Sequence, residues 1–185
     1  MKFVLHYRGP LRANGSAHDK HGLRQAFHSQ LRTLWSQQPL SEEQSLLRPR
    51  TSSGLYSNLR SLSSFTFAPL VTAEMNGIAE LQVTILRPEA PGNLITQGGD
   101  IDNRMKTLFD ALTMPRHLNA LPSGATPLAD QTPFFCLLED DNLVTAVSVR
   151  TEQLLEPVVD IGHVDVLVRV QTSVTRQTMD NFVLS

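Results

Sequence analysis

Apolar residues recur along this chain at two periods, and those periods mark out its elements. Lys2 to Tyr7 is an apolar-rich run stopped by Arg8-Gly9-Pro10 and reads as an opening strand. Residues 9–17 hold Gly9, Pro10, Asn14, Gly15 and Ser16, the composition of a loop. From Asp19 to Gln37, the residues Leu23, Phe27, Leu31, Leu34 and Trp35 stand at helical spacing. Lys20, Arg24, His28 and Arg32 form a stripe at steps of four on another face of that helix. Such a stripe is either a solvated surface or a face for phosphates. Ile78 to Leu86 alternates as a strand does, and Pro88, Pro91 and Gly92 end it. Phe65–Val71 reads as an irregular strand, and Leu143–Val149 and Val164–Val170 as two more.

A second helical pattern covers 103–113. Met105, Leu108, Phe109 and Leu112 share one face, and Asn103, Lys106 and Asp110 share the opposite one. The helix can therefore pack one side on a sheet and present the other to a site. Residues 38–64, rich in Ser, Gln, Pro and Arg, read as a long connection with one short helix. Residues 114–133, with prolines and a glycine but no period, read as an inserted loop, and the polar stretch 172–185 as a loose tail. No internal repeat is present. The expected fold is one α+β domain, a small mixed sheet packed with two main helices and carrying long inserted loops.

Composition changes little in this picture. At 185 residues, 41% hydrophobic and 18% charged, the chain can bury a core without covalent staples. Its single cysteine, Cys136, follows Phe134 and Phe135 and is expected to be a buried, inert thiol in a reducing compartment. No leader pattern and no long apolar span are visible, so a cytoplasmic protein without a membrane segment is expected. Charge adds more. Residues 1–60 carry nine Lys and Arg against three Asp and Glu, whereas residues 61–185 carry seven against fifteen. The basic part either offers a face to a polyanion or neutralises the acidic part within the fold.

The candidate chemistry lies where the acids cluster. Gly99-Asp100-Ile101-Asp102-Asn103-Arg104-Met105-Lys106 puts two carboxylates, an amide and an amine within eight residues, and Glu139-Asp140-Asp141 stands just before a strand. A structural account exists for each residue singly. Asp102 sits where a helix N-cap belongs, and Lys106 and Asp110 have the spacing of an i,i+4 ion pair. Clustered carboxylates repel one another, however, and a divalent ion removes that cost. Spacing alone leaves both accounts open. An EF-hand loop is excluded because Arg104 takes a ligand position. The glycines before Asp100 and Asn103 after Asp102 do not fit haloacid-dehalogenase-type phosphatases. Zinc spacing, phosphate-binding glycine loops and nucleophilic serine motifs are absent.

The stretch Asp100-Ile101-Asp102-Asn103-x-x-Lys106-x-x-x-Asp110-Ala111-Leu112, followed by Asp140-Asp141 before a strand, resembles the RusA family of Holliday junction resolvases. The order of elements is similar too: a strand, a basic Gly/Pro/Asn-rich loop, a helix, a strand, then the acidic motif leading a helix. The close likeness covers about 100–113 and 139–150. It implies a homodimeric endonuclease that cleaves branched DNA with Mg²⁺ or Mn²⁺, in recombination or repair. By position, Asp100, Asp102 and Asp141 match the family's metal-binding carboxylates and Lys106 its essential lysine. Asn103, Asp110 and Asp140 match recurring positions of supporting role. DNA phosphates are then expected along Arg8, Arg12, Lys20, Arg24 and Arg32. The chain departs from compact members in its two extra stretches and its slight acidity. A non-catalytic DNA-binding or regulatory protein on the same fold, or a nuclease acting on something other than a junction, are the alternatives.

Overall fold

The structure is a computed structural model, described here for residues 1–50, 56–88, 101–157, 162–178 and 181. Asp100, part of the expected site, lies outside them. Four strands form the larger sheet: β1 (Lys2–Pro10), β7 (His163–Val174), β4 (Gly77–Arg87) and β6 (Val144–Gln153), in that spatial order. β7 runs antiparallel to both neighbours, and β6 runs parallel to β4. Alternation fixes the faces. Leu81, Val83 and Ile85 of β4, with Leu5 of β1 and Val166, Val168 and Val170 of β7, are buried on one face. Glu80 and Gln82 look out from the other. β2 (Arg60–Leu62), β3 (Phe65–Val71) and β5 (Phe134–Leu138) form a smaller sheet, antiparallel between β2 and β3 and parallel between β3 and β5.

Two helices complete the α+β architecture, α1 (Ala17–Trp35) and α2 (Ile101–Leu112). α1 starts at a reciprocal cap. Ser16 Oγ accepts from the Asp19 N–H, and the Asp19 carboxylate accepts from the Ser16 N–H at 2.9 Å. Those bonds from the Ser16 side chain and backbone hold the Asp19 carboxyl below the usual carboxylate range. Leu23, Phe27, Leu31 and Trp35 of α1 join the main core, as do Met105, Leu108 and Leu112 of α2. Phe65, Phe67, Phe134, Cys136 and Leu121 make a second, smaller cluster. Burial pushes the Cys136 thiol up, away from the thiolate, in keeping with an inert core residue.

α1 also ties down two sheet edges. The Gln30 amide accepts from the His6 N–H at 2.9 Å and donates to the His6 carbonyl at 2.6 Å, occupying the free side of β1. His28 Nδ1 accepts from the Phe135 N–H at 2.9 Å on β5, while Nε2 donates to the Asp130 carbonyl at 3.2 Å.

The structure corrects several expectations. The basic stripe of α1 is solvated only in part: Arg32 is exposed, but Arg24 and His28 are buried, because the 113–131 segment packs over them. The 114–133 loop has structure of its own. It holds a short helical turn at Leu118–Ala120 and buries Leu121 and Gln131. The 38–64 connection contains two short helical turns, Leu40–Glu42 and Gln44–Leu47, whose Leu40 and Leu46 are buried. In the polar end of the chain β7 continues to Val174. Asn181 there is buried, donating to the Met75 and Arg176 carbonyls at 2.9 and 2.8 Å. Among the described residues no helix is long and apolar enough to cross a membrane.

Candidate functional site

α2 carries Asp102, Lys106 and Asp110 at steps of four, so they lie on one face, and Asp102 and Lys106 are exposed. The opposite face anchors the helix. Arg104, buried, donates to the Leu11 carbonyl at 2.8 Å. Thr107 Oγ1 accepts from the Gly15 N–H at 2.8 Å, and the Asn14 N–H reaches the Asn103 carbonyl at 3.4 Å. A Cβ at residue 15 would stand 2.7 Å from Thr107 Cγ2, so only glycine allows this approach of the loop to the helix. Since α2 begins at Ile101, Asp102 lies in its first turn and not at the cap, and its Oδ1 accepts from the Asn103 N–H at 2.7 Å. A carboxylate there suits the positive end of the helix dipole.

β5 delivers the second acidic group, and its three carboxylates diverge. Glu139 turns away: its oxygens accept from Arg60 Nε at 2.6 Å and from the Ala73 N–H at 3.0 Å. Asp140 caps the short turn Asp141–Leu143 by accepting from the Asn142 N–H at 3.0 Å, and it pairs with Arg116. Burial works to raise the Asp140 pKa. The Asn142 N–H, the Asp141 side chain and the Arg116 guanidinium outweigh it and hold the group below the usual carboxylate range. Asp141 is exposed, with Arg116 Nη2 at 3.3 Å from its Oδ1.

Asp102, Lys106, Asp110 and Asp141 thereby line one open cleft of about 550 Å³, with Met105, Phe109, Val144 and Val147 as its apolar wall. Asp110 and Asp141 also border a neighbouring hollow of about 270 Å³ that adds Lys20, Arg116 and His117. The expected i,i+4 pair does not form. Asp110 instead bonds Lys20 Nζ at 2.7 Å, and Lys106 has no ion-pair partner among the described residues. Arg116 was not among the residues singled out from the sequence. It stands in a stretch without periodicity, so nothing local marked it.

The expected phosphate-contacting residues are partly committed elsewhere. Arg24 is 3% exposed and its guanidinium donates to the Asp110, Ala120 and Thr113 carbonyls at 2.7, 3.0 and 3.4 Å, so it is a structural residue. Burial lowers its pKa to about 10. Arg8 pairs with Glu156 and Asp165, Arg12 with Asp19 at 3.7 Å, and Arg32 with Asp130 at 3.0 Å. The pairs of Arg12, of Arg32 and of Arg8 with Glu156 are weak and exchangeable, whereas Asp165 is buried and holds Arg8 at 3.1 Å. Among the described residues no three His, Cys, Asp or Glu side chains form a metal-binding group. Asp102 and Asp141 do line the same cleft, and carboxylate oxygens are a hard donor chemistry that suits Mg²⁺. Compared with protein-family models, curated proteins and solved structures, the chain matches none.

Proposed function

We propose that this protein is a metal-dependent endodeoxyribonuclease of the RusA type, acting on branched DNA such as a four-way junction. One observation carries the reading: α2 and the end of β5, remote in sequence, set Asp102, Lys106, Asp110 and Asp141 around one open cleft. Asp102 and Asp141, with Asp100, would hold Mg²⁺ or Mn²⁺. When bound, that ion neutralises charge at the scissile phosphate and lowers the pKa of an attacking water.

The protein's own groups do the rest. Lys106, exposed on the cleft wall, is a cation free to meet the charge that builds on the phosphate, and such a group counts most where water is sparse. Asp110 holds Lys20 at the border of the cleft and its neighbour, which presents a second cation to an incoming strand. Arg116 screens Asp140 and Asp141 from each other, and it exchanges those carboxylates for a phosphate when DNA and metal arrive. Arg12 and Arg32 supply outer phosphate contacts by the same exchange, and Arg8 does so by giving up the exposed Glu156. The resemblance also implies a homodimer.

A second reading, a non-catalytic DNA-binding protein, draws on the same Arg116 contact, which offsets half of the acidic pair's charge without metal. The test is cleavage of labelled four-way junction, flap, duplex and single-stranded DNA in Mg²⁺ and Mn²⁺, beside Asp102→Asn. Junction cutting that the variant loses is the expected result. Cutting only of another substrate, lost in the variant, keeps the nuclease and removes the resolvase. No cutting by folded protein in either metal leaves the binding reading.

A further inference from the structure

β6 is built unlike the other strands of its sheet. It is ten residues long, pairs with β4 alone among the described residues, and has no buried residue. Yet its register puts Val147 beside Leu81, Val149 beside Val83 and Thr151 beside Ile85, all on the face that β4 buries. Beyond β4 no described residue buries that face: Val147, at the apolar wall of the cleft, and Val149 stay 46% and 38% exposed. The far edge also differs from its counterparts. β1 and β5 have backbone groups bonded by Gln30 and His28, whereas no described side chain bonds the outer backbone of β6. A long, flat, partly apolar open edge is a template for another strand.

The sequence of the strand says which strand. Thr145-Ala146-Val147-Ser148-Val149-Arg150-Thr151 is nearly the same read in either direction. We propose that two copies of this chain associate through antiparallel pairing of β6 with β6 about a two-fold axis at Ser148. The axis sets Val147 opposite Val149 and Thr145 opposite Thr151 twice over, on the face the core uses. Pairs of β-branched residues and of threonines are favourable directly across strands. Arg150 meets Ala146 and Glu152 meets Val144, so no charge opposes its like. An axis at Arg150 would set arginine against arginine. Shifting the register sum by one residue would set inward against outward positions, which a two-fold normal to the sheet forbids. The two four-stranded sheets become one of eight. The Val144 residues lie roughly 26 Å apart along the strands, and the 154–156 segment of one copy comes alongside the 140–142 turn of the other's cleft. This deepens the homodimer that accompanies the nuclease reading, but its test reads association without cleavage, so the two fail separately.

The test is sedimentation equilibrium of the full chain, with cysteine cross-linking. A dimer is expected, and Val147→Asp with Val149→Asp should weaken it about 30-fold or more while far-UV circular dichroism below the melting transition shows each copy still folded, because both side chains are exposed in one copy; the melting temperature falls only by what the lost association supplied. Ser148→Cys, sitting on the axis, should oxidise to a covalent dimer against a background of one buried native thiol. Ala146→Cys should cross-link only when mixed with Arg150→Cys. A protein monomeric up to high concentration overturns the proposal. So does a dimer that ignores the aspartates and does not cross-link through Ser148→Cys. Preferential cross-linking of Val149→Cys overturns the register.

Discussion

Replacing Arg24 by methionine separates a structural arginine from a DNA-binding one. The guanidinium makes two good hydrogen bonds, to the Asp110 and Ala120 carbonyls at 2.7 and 3.0 Å, and a long one to Thr113 at 3.4 Å. Bonds from a charged donor contribute about 1.5–3 kcal/mol each, and the long one counts for little. Removing the two good ones therefore costs roughly 3–6 kcal/mol and strands buried carbonyls. Against this, methionine keeps most of the aliphatic packing and removes the desolvation cost of a cation, worth a few kcal/mol. The expected net loss is about 3 kcal/mol, or roughly 6–12 °C in Tm for a chain of this size. Urea unfolding of wild type and variant, with equal slopes, measures it. Arg24→Lys should recover only part, since a single ammonium cannot reach both carbonyls in a fork. A loss below about 1 kcal/mol, coupled with weakened DNA binding and a shallower salt dependence, would refute the structural assignment and restore Arg24 to the phosphate track.

Three further outcomes follow from the geometry. Gly15→Ala drives a Cβ against Thr107 and should cost about 1–3 kcal/mol, seen as a lower urea midpoint, because the loop must withdraw from α2. His28 is held neutral, burial lowering its pKa more than its carbonyl partner raises it. The unfolded chain therefore takes up the proton first. The stability His28 lends is complete above about pH 6.5 and falls as pH drops below it, so thermal melts between pH 7.5 and 5.5 should decline and His28→Gln should flatten the decline. Arg116→Ala should leave the melting temperature within about 2 °C, as exposed pairs do, while lowering several-fold the Mn²⁺ concentration that half-saturates the protein in calorimetry. Unchanged or weaker Mn²⁺ binding would show that Arg116 does not compete for the acidic pair.

Elements with a clean period were legible in the chain. β4 alternates between a buried face and a wet one, and α1 and α2 repeat their apolar residues every three or four, so each was placed within a few residues of its observed bounds. β5 was not recognised as a strand, because Phe134–Leu138 is buried on both faces and so has no alternation to read. The stripe on α1 misled for a related reason. Step-of-four spacing shows that Lys20, Arg24, His28 and Arg32 share a face, but the segment that covers that face arrives from residues 113–131. The site divided in the same way. Asp102, Lys106 and Asp110 share a helix face by spacing alone. The meeting of Asp141 with them, the turning away of Glu139 and the capture of Asp110 by Lys20 are tertiary events.

The bonds that α1 makes to two strand edges also set the size any assembly can reach. Gln30 holds the His6 backbone on β1 and His28 holds the Phe135 backbone on β5, so neither outer edge is open at those points to receive a strand from another molecule. A chain with two open edges can stack end to end and grow into a fibre, whereas a chain with one can only close. With β6 as the long edge left open among the described residues, the proposed two-fold pairing consumes it in both copies and leaves only the three-residue β2 as a further open strand. Gln30→Ala is thus more than a lost side-chain contact: it would expose a second template, and turbidity or thioflavin fluorescence on prolonged incubation would report the change from closed pairs to open polymers.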